Sequence, residues 1–232
     1  MINVNNVTKS FNKKVAVNIP YLEIKKGEII GLVGNNGAGK TTFFRLLLDL
    51  IKADSGYINS NGIDVAKTED WKVYTGSFID NSFLIEFFTP EEYFTFIGKL
   101  FQLKSSELNE RLSHFEKFMN GEILNQKKYI RNFSAGNKQK IGIIGAMMIN
   151  PKILILDEPF NFLDPSSQAE IKKLMQTMNS NYGTTTLISS HNLNHITDLS
   201  TRVLLMEKGS IIKDIPNKNG EAFTELESYF EV

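Results

Sequence analysis

A glycine-rich segment limits the possible folds of this chain more than any other feature of the sequence. It lies between the apolar runs 28–33 and 43–51 and reads Gly34, Asn35, Asn36, Gly37, Ala38, Gly39, Lys40, Thr41 and Thr42. This spacing is that of the P-loop, in which backbone N–H groups surround phosphates, a lysine reaches the terminal phosphates and a hydroxyl group binds Mg²⁺. Glycine is required because only a backbone without side chains approaches a phosphate so closely. We therefore predict a strand, a phosphate-binding loop and a helix, with a nucleotide on the loop.

The overall composition narrows the classes of function. The 232 residues are 41% hydrophobic, which is enough to bury a sizeable core in one domain or in one domain with an inserted lobe. Lys and Arg together number 26, as do Asp and Glu, so the net charge gives no support for binding nucleic acid or an anionic membrane. The chain has no cysteine, which excludes disulfides and thiolate metal sites and fits a reducing compartment.

The sequence shows neither a secretion signal nor a run that is long enough to span a membrane. Residues 1–5 lack the basic start and the continuous apolar segment of a signal peptide. The longest apolar runs, 141–149 and 153–156, are far shorter than the ~20 residues that cross a bilayer. We therefore expect a cytosolic protein whose membrane role, if it has one, comes through a partner.

The N-terminal third has the pattern of an antiparallel β lobe. Residues 2–8 and 15–24 are rich in β-branched residues and alternate apolar with polar side chains, which is typical of strands. Residues 57–63 form a predicted hairpin around Asn61 and Gly62, a pair that favours the type I′ turn. Phe11 falls in a predicted polar turn, where its ring either stacks on a flat base or packs under the loop.

The middle of the chain predicts an inserted helical lobe. A strand predicted over residues 72–79 ends at Asp80, and seven of the 17 phenylalanines fall within residues 78–101. Thr89 is a suitable N-cap for a helix that begins at Pro90, and a second helix is predicted from about Ser105. The aromatic side chains that precede Thr89 lie in a predicted loop, and we interpret them as a docking surface for a partner.

Two further segments have the composition of nucleotide-site elements. Ser134 is a natural N-cap for a helix that extends to about residue 149, and the positive N-terminal end of that helix attracts anions. The apolar run 152–156 is typical of a strand that is buried on both faces of a parallel sheet, and it ends at Asp157 and Glu158. Asp157 is placed to hold Mg²⁺ opposite Thr41, and Glu158 is placed to polarise a water molecule.

The remaining segments complete an alternating α/β pattern. A helix is predicted from Asp164, a strand over residues 184–190 ends at His191, closing strands follow over 202–207 and 210–213, and a short helix is predicted over 221–230. His191 and His195 do not form a zinc site, because no acidic partner or third ligand accompanies them, and His195 is interpreted as a solvated helix residue. Ligands of open α/β sheets bind at the carboxyl ends of the strands, so these strand ends are expected to converge on one crevice.

Taken together, the motifs resemble those of the ATP-binding subunits of ABC transporters over nearly the whole chain, with most likeness to the bacterial exporter type. Residues 133–139 resemble the signature motif LSGGQ or LSGGMKQ, with Phe for Leu and Ala for the first Gly, while Leu163 and Asp164 resemble the D-loop. The resemblance implies an α/β fold of the P-loop NTPase (RecA-like) type, with a parallel-sheet core, an N-terminal antiparallel β lobe and an inserted α-helical lobe. It implies a nucleotide-binding domain over residues 1–213, with the helical lobe at about 80–133, and a short C-terminal tail or helix over 214–232.

The resemblance also implies roles for individual residues. ATP would lie between the P-loop of one subunit and the signature residues Ser134, Gly136 and Gln139 of a second subunit in a head-to-tail dimer, with Phe11 stacked on adenine. Glu158 would act as the general base, His191 would contact the γ-phosphate, and Lys40 and Mg²⁺ would neutralise charge. Thr41 and Asp157 would hold the Mg²⁺. Asp80 stands where the family has glutamine, and its carboxylate is a further candidate metal ligand.

The function that the resemblance implies is ATP hydrolysis that powers a membrane transporter, with transmembrane permease subunits on separate chains at the inner face of the cell membrane. Whether the dimer is a homodimer or a heterodimer stays open. An alternative is a soluble ABC-type ATPase of DNA repair or translation, although the coiled-coil insertions, zinc modules and second cassettes of those relatives are not visible. A second alternative is a scaffold that binds ATP without hydrolysing it, and Glu158 and His191 argue against it.

Overall fold

The computed structural model describes residues 2–217 and 220–230. The strands and helices of these residues alternate along most of the chain. They are β1 (Ile2–Phe11), β2 (Lys14–Ile24), β3 (Ile29–Val33), α1 (Lys40–Leu47), β4 (Ser55–Ser60), β5 (Ile63–Asp64), β6 (Thr75–Phe78), α2 (Pro90–Leu100), α3 (Ser105–Ser113), α4 (Glu116–Met119), α5 (Ala135–Met147), β7 (Ile153–Leu156), α6 (Pro165–Tyr182), β8 (Thr185–Ser190), α7 (Leu193–Thr197), β9 (Arg202–Glu207), β10 (Ser210–Pro216) and α8 (Glu221–Phe230).

The first sheet is antiparallel and has the strand order β2-β1-β4-β5. Its two long strands pair from Ile2 opposite Ile24 to Phe11 opposite Lys14. The turn between β4 and β5 has positive φ angles at both Asn61 and Gly62, 49° and 84°, as a type I′ turn requires. The predicted β lobe therefore forms, but Phe11 is the last residue of β1 rather than part of a turn, because cross-strand pairing extends β1 beyond residue 8.

The second sheet has the strand order β10-β9-β3-β8-β7-β6 and is parallel except for β10, which is antiparallel to β9. Every residue of β3, β7 and β8 is buried, which agrees with the continuous apolar runs of the sequence. Val33 pairs with Ser190, and Leu156 pairs with Ile188 and Phe78. Four strands therefore end along one edge of this sheet. They are β3, before the P-loop, β8, before His191, β7, before Asp157, and β6, before Asp80.

The parallel sheet separates two hydrophobic cores, and alternate residues of its strands face each one. In β7, Leu154 and Leu156 belong to the core that is shared with the helical segment, whereas Ile153 and Ile155 belong to the core that is shared with the N-terminal β lobe. The P-loop helix α1 packs into the second core through Phe43. The sheet is thus covered on both faces, which leaves its carboxyl edge for a site.

The predicted helices between β6 and α5 are present, with small differences in their bounds. Thr89 and Glu92 form a reciprocal capping box at the start of α2, and the structure adds the short helix α4, which the sequence does not predict. The strand predicted from residue 72 begins as a 3₁₀ turn over Lys72–Tyr74, so only Thr75–Phe78 pairs with β7. Within residues 2–217 and 220–230, no helix combines the length and the apolar character that crossing a membrane requires.

Candidate functional site

The P-loop forms one wall of a cavity at the carboxyl edge of the parallel sheet. Gly37 and Gly39 have φ angles of 81° and 112°, which favour glycine, and a Cβ atom on Gly39 would lie 2.4 Å from the carbonyl oxygen of Ala16. The cavity has a volume of about 340 Å³, and its lining residues are Phe11, Lys14, Val15, Ala16, Asn36, Gly37, Ala38, Gly39, Lys40, Thr41, Thr42 and Glu158. The structure therefore brings most of the predicted phosphate-binding residues together with Glu158.

The side chain of Lys40 points into the loop and is buried. Its ammonium group donates a hydrogen bond to the carbonyl oxygen of Gly34 at 2.6 Å and lies 3.7 Å from Oε1 of Glu158. A buried charge needs such partners because its loss of hydration is costly. A phosphate group at this position would supply stronger acceptors than the neutral carbonyl group.

Thr41 and Asp157 form the pair that the sequence predicts for Mg²⁺. Thr41 Oγ1 donates a hydrogen bond to Asp157 Oδ2 at 2.5 Å, and Ser189 Oγ donates to the other carboxylate oxygen. Burial raises the pKa of Asp157, against the lowering effect of these two hydrogen bonds, so a cation beside the carboxylate would stabilise its charged form. A hydroxyl group and a carboxylate are the protein ligands that Mg²⁺ uses at phosphate sites, where water and phosphate oxygens supply the rest, so the residues fit this ion.

Within residues 2–217 and 220–230, no cluster of three or more His, Cys, Asp or Glu side chains could hold a metal by itself.

Glu158 and His191 meet above the P-loop. Glu158 Oε2 lies 2.9 Å from Nδ1 of His191, and the backbone N–H of Glu158 donates to Ser189 Oγ at 2.8 Å. Glu158 has a φ angle of 46°, which is uncommon for a residue with a side chain. Ser189 therefore holds the backbone of Glu158 and the carboxylate of Asp157 at once. The sequence does not single out this serine, because four of the six residues of β8 carry a hydroxyl group.

Asp80 does not join the Thr41–Asp157 pair. Its Oδ1 atom accepts hydrogen bonds from the backbone and the side chain of Ser82, and its Oδ2 atom lies 3.3 Å from Nη2 of Arg45 in α1. Burial raises the pKa of Asp80, but the hydrogen bonds from Ser82 and Arg45 outweigh it and lower the pKa overall. The carboxylate thus links the P-loop helix to the 3₁₀ turn Asn81–Phe83, and its role as a metal ligand stays a prediction.

The signature residues lie on a second cavity of about 400 Å³. Ser134 caps α5 by accepting a hydrogen bond from the backbone N–H of Asn137 at 3.2 Å. Gly136 is required by a close approach, because a Cβ atom there would lie 2.6 Å from the carbonyl oxygen of Phe162. The residues that line this cavity are Glu122, Ser134, Ala135, Gly136, Asn137, Lys140, Phe162 and Asp164.

Gln139 does not face this second cavity. Its side chain is buried, and its Nε2 atom donates a hydrogen bond to the carbonyl oxygen of Glu158 at 3.2 Å. The prediction that this amide binds a nucleotide beside Ser134 and Gly136 is therefore not matched by its placement. Gln139 lies three residues after Gly136 in α5, and this hydrogen bond directs its side chain toward the segment that follows β7.

Three aromatic side chains lie near the site, and two of them differ from what the sequence suggests. Phe162 is 68% exposed and has a φ angle of 65°, which is unusual for a bulky residue, and the sequence analysis did not single it out. His195 lies on α7 as predicted but is only partly exposed, and its ring lies 4.7 Å from the ring of Phe160. Burial and the charge of Lys172 lower the pKa of this imidazole. Phe11 is 49% exposed at the rim of the P-loop cavity, and Lys9 Nζ lies over its ring at 5.6 Å from the centre.

Comparison with known proteins identifies the family. The family model described as ABC transporter matches residues 17–161 of this chain. The chain belongs to the ABC transporter family. It is 34% identical over 225 residues to the uncharacterized ABC transporter ATP-binding protein YcbN of Bacillus subtilis, and the match covers 93% of this chain and 69% of that protein. It is therefore an ATP-binding and ATP-hydrolysing subunit of the ABC transporter type.

Other relatives of this ABC subunit differ in the transport that their names describe. The bacitracin transport ATP-binding protein BcrA of Bacillus licheniformis is 33% identical, over 93% of this chain and 70% of that protein. The sulfate/thiosulfate import ATP-binding protein CysA 1 of Shewanella oneidensis is 31% identical, over 90% of this chain and 57% of that protein. These matches give no support to the DNA-repair alternative, and the likeness to exporter-type ATPases stays a prediction.

Solved structures show that the fold is that of ABC cassettes. A dimeric bacterial ABC transporter cassette superposes with a TM-score of 0.84 at 22% identity and covers 94% of this chain and 100% of that chain. An ATP-binding subunit of an ABC transporter superposes with a TM-score of 0.86 at 23% identity and covers 99% of this chain and 93% of that chain. The predicted α/β fold with a parallel core, a β lobe and added helices is confirmed.

Proposed function

We propose that this ABC subunit binds two ATP molecules as a head-to-tail dimer with a second nucleotide-binding subunit. The observation that carries this proposal is the presence of two half-sites on one chain. The P-loop cavity contains Lys40 and the Thr41–Asp157 pair, whereas the second cavity contains the N-terminal end of α5. The first cavity has the cation and the metal ligands for the phosphates of ATP, and the second has a helix end that can bind an anion. A complete site would combine the first cavity of one subunit with the second cavity of another.

The surface around the second cavity supports contact with another subunit. Phe162 exposes most of its ring there, and a partner that covers the ring would remove apolar surface from water, which is favourable. Ser134 and Gly136 lie beside it and leave the backbone N–H groups of α5 open to an anion. We propose that these groups bind the γ-phosphate of the nucleotide on the partner's P-loop.

The proposed reaction is the attack of water on the γ-phosphorus of ATP. Glu158 would accept the proton of the attacking water, and His191 would orient Glu158 and contact the γ-phosphate. Lys40 would exchange its contact with the Gly34 carbonyl group for phosphate oxygens. Thr41 and Asp157 would hold a Mg²⁺, which when bound neutralises charge on the β- and γ-phosphates. Phe11 would stack on the adenine ring.

We propose that the chain acts at the cytoplasmic face of the cell membrane through permease subunits on separate chains. Phe83 and Phe87 are 48% and 67% exposed, and they follow Asp80, which binds Arg45 of the P-loop helix. A partner that covers these rings would therefore be connected to the nucleotide site through Asp80 and Arg45. We also propose residues 1–213 as the nucleotide-binding domain, with the helical lobe at about 80–133 and a C-terminal segment from 214. Co-purification of the chain from membranes tests the localisation and identifies the partner.

The experiment that tests the catalytic proposal is the substitution Glu158→Gln. Loss of a positioned general base lowers a rate by about 10²–10⁴-fold, so this variant should bind ATP, release phosphate at that reduced rate and accumulate as a dimer. Phosphate release and size-exclusion chromatography with ATP measure these effects. Glu110→Gln, an exposed change in α3, is the matched control. Near-normal phosphate release by Glu158→Gln would contradict the proposal.

A further inference from the structure

One buried amide connects the last two helices of the chain. Asn217 is 7% exposed, and its Nδ2 atom donates hydrogen bonds to the carbonyl oxygens of Thr197 and Ser200, each at 2.8 Å. Its Oδ1 atom accepts a hydrogen bond from the backbone N–H of Ala222 at 3.2 Å. The backbone N–H of Asn217 is also bound, to the carbonyl oxygen of Thr201 at 2.9 Å.

These bonds make Asn217 a cap for two helix ends at the same time. The donor end of the amide satisfies carbonyl groups at and just beyond the C-terminal end of α7, and the acceptor end satisfies an N–H group in the first turn of α8. Helix ends leave such groups without partners inside the helix, and buried ones are costly when unpaired. An asparagine is suited to this position because its amide has both a donor and an acceptor.

The helix α7 begins two residues after His191, so its placement affects that histidine. With five residues, α7 is too short to be stable by itself and depends on its contacts. Ile196 is fully buried against β3, where a Cβ atom on Gly31 would lie 2.0 Å from Ile196 Cγ2. On its other side, His195 stacks on Phe160 in the loop that follows Glu158.

The helix α8 covers α7 from the outside. Ala222 and Leu226 are fully buried in the same core as Leu193, Ile196 and Leu199. The salt bridge between Lys213 of β10 and Glu225, at 3.2 Å, also connects α8 to the edge of the parallel sheet. α7 is therefore held between β3 and α8, and Asn217 joins α7 to α8 by hydrogen bonds.

We propose that Asn217 is a positioning residue for ATP hydrolysis, because its two-ended cap holds α7 against α8 and so fixes His191 relative to Glu158. The inference rests on the proposed roles of Glu158 and His191. It gives the C-terminal helix a function in the reaction, although none of the described residues of α8 lines the nucleotide cavities.

The test compares Asn217→Asp with a matched control. Aspartate has the shape of asparagine but lacks the N–H donors, so it places oxygen atoms against the carbonyl groups of Thr197 and Ser200. Asn179→Asp is the control, because Nδ2 of Asn179 also donates to two carbonyl oxygens, those of Gly27 at 2.8 Å and Thr184 at 2.9 Å. Those bonds lie at the opposite edge of the sheet from His191.

The full chain, with any membrane subunits that co-purify, is assayed for ATP hydrolysis and for thermal unfolding. A small misplacement of a catalytic group costs up to about 10²-fold in rate, so kcat of Asn217→Asp should fall roughly 10- to 100-fold while the KM for ATP stays unchanged. Asn179→Asp should lower the melting temperature and keep the wild-type kcat. Asn217→Ala, which removes the same bonds without adding a charge, should resemble Asn217→Asp.

A wild-type kcat in folded Asn217→Asp or Asn217→Ala would overturn the inference. Failure of both variants to fold, with Asn179→Asp folded, would also overturn it, because Asn217 would then act on stability alone. Absence of ATP hydrolysis by the wild-type preparation would instead count against the proposed function. The two failures are therefore distinguishable.

Discussion

The buried ammonium group of Lys40 has partners within the P-loop cavity. The ammonium group contacts the carbonyl oxygen of Gly34 and lies near Glu158, which in turn contacts His191. These contacts compensate for burying a positive charge in a loop that is shaped for phosphates. Binding of ATP would exchange them for phosphate oxygens and release Glu158 to act on water.

Substitution of Lys40 by alanine should therefore lower both ATP affinity and the rate of hydrolysis. Hydrogen bonds to charged groups contribute about 1.5–3 kcal/mol, so we expect ATP affinity to fall roughly 10- to 100-fold. Isothermal titration with ATP measures the affinity, and phosphate release measures the rate. Lys67→Ala, on the exposed side chain that pairs with Asp64, is the control. An unchanged affinity in Lys40→Ala would contradict the P-loop assignment.

Asp164 offers a prediction about acid stability. Hydrogen bonds from Ser166 and Ser167 hold the pKa of this carboxyl group well below its ordinary value of 3.8. Because the folded pKa is lower than the unfolded one, the stabilisation is complete above pH 3.8 and is lost as the pH falls below it.

Asp164→Asn keeps a capping side chain but removes the ionisation. In urea denaturation at neutral pH, the wild type should have a higher free energy of unfolding than Asp164→Asn. This difference should become smaller as the pH falls below the ordinary aspartate pKa of 3.8. The nucleotide-free chain is the sample, so that ligand binding does not contribute to the stability. A difference that is independent of pH would refute this account of Asp164.

At the scale of elements, the contact between α7 and β3 has no spare room. Gly31 is in the middle of β3, and a Cβ atom there would lie 2.0 Å from Ile196 Cγ2 and 2.5 Å from Ser200 Oγ. Cores are packed as densely as crystals, so an added methyl group must displace its neighbours. The position of α7, and with it the loop of His191, depends on this glycine.

Gly31→Ala should destabilise the protein by roughly 1–3 kcal/mol, the usual cost of overpacking a core. Denaturant unfolding measures this as a lower midpoint. Gly98→Ala in α2 is the matched control, because its nearest neighbour, Leu108 Cδ2, would lie at an ordinary 3.4 Å and alanine favours helices. We expect the control to be as stable as the wild type or more stable. Equal midpoints for Gly31→Ala and the wild type would show that α7 moves without cost.

At the scale of the whole molecule, we propose separate functions for three surfaces. The P-loop cavity and the α5 cavity are the proposed halves of the nucleotide sites, and the exposed rings of Phe83 and Phe87 form a third surface. The guanidinium group of Arg131 lies over the ring of Phe87, 4.9 Å from its centre. Arg45 and Asp80 connect this third surface to the P-loop helix.

Removal of the Phe87 side chain should uncouple transport from hydrolysis in the assembled transporter. We expect Phe87→Ala to retain ATP hydrolysis and to lose most transport. The ring is exposed and does not line the P-loop cavity, so its proposed role is limited to the contact with the permease. Transport into or out of membrane vesicles, measured together with phosphate release, reports both. Tyr182→Ala, at the exposed end of α6, is the control. Full transport by Phe87→Ala would refute the docking role.

The sequence alone predicts the parts of this protein that depend on neighbouring residues. The P-loop, the buried strand before Asp157 and the caps Thr89 and Ser134 follow from local spacing, periodicity and turn chemistry, and the structure contains each of them. The resemblance to the ABC family extends these parts to a fold, and the comparisons confirm it.

The tertiary structure alone decides which polar groups meet. Three hydrogen bonds of the site join residues that are far apart in the sequence. The separations are 35 residues for Asp80 and Arg45, 19 for Gln139 and Glu158, and 32 for Ser189 and Asp157. Such partners follow from sheet order and helix packing, which bring together positions that no local pattern relates. For the same reason the sequence marks the loop of His191 as part of the site, whereas only the packed chain shows that Asn217 holds the helix behind it.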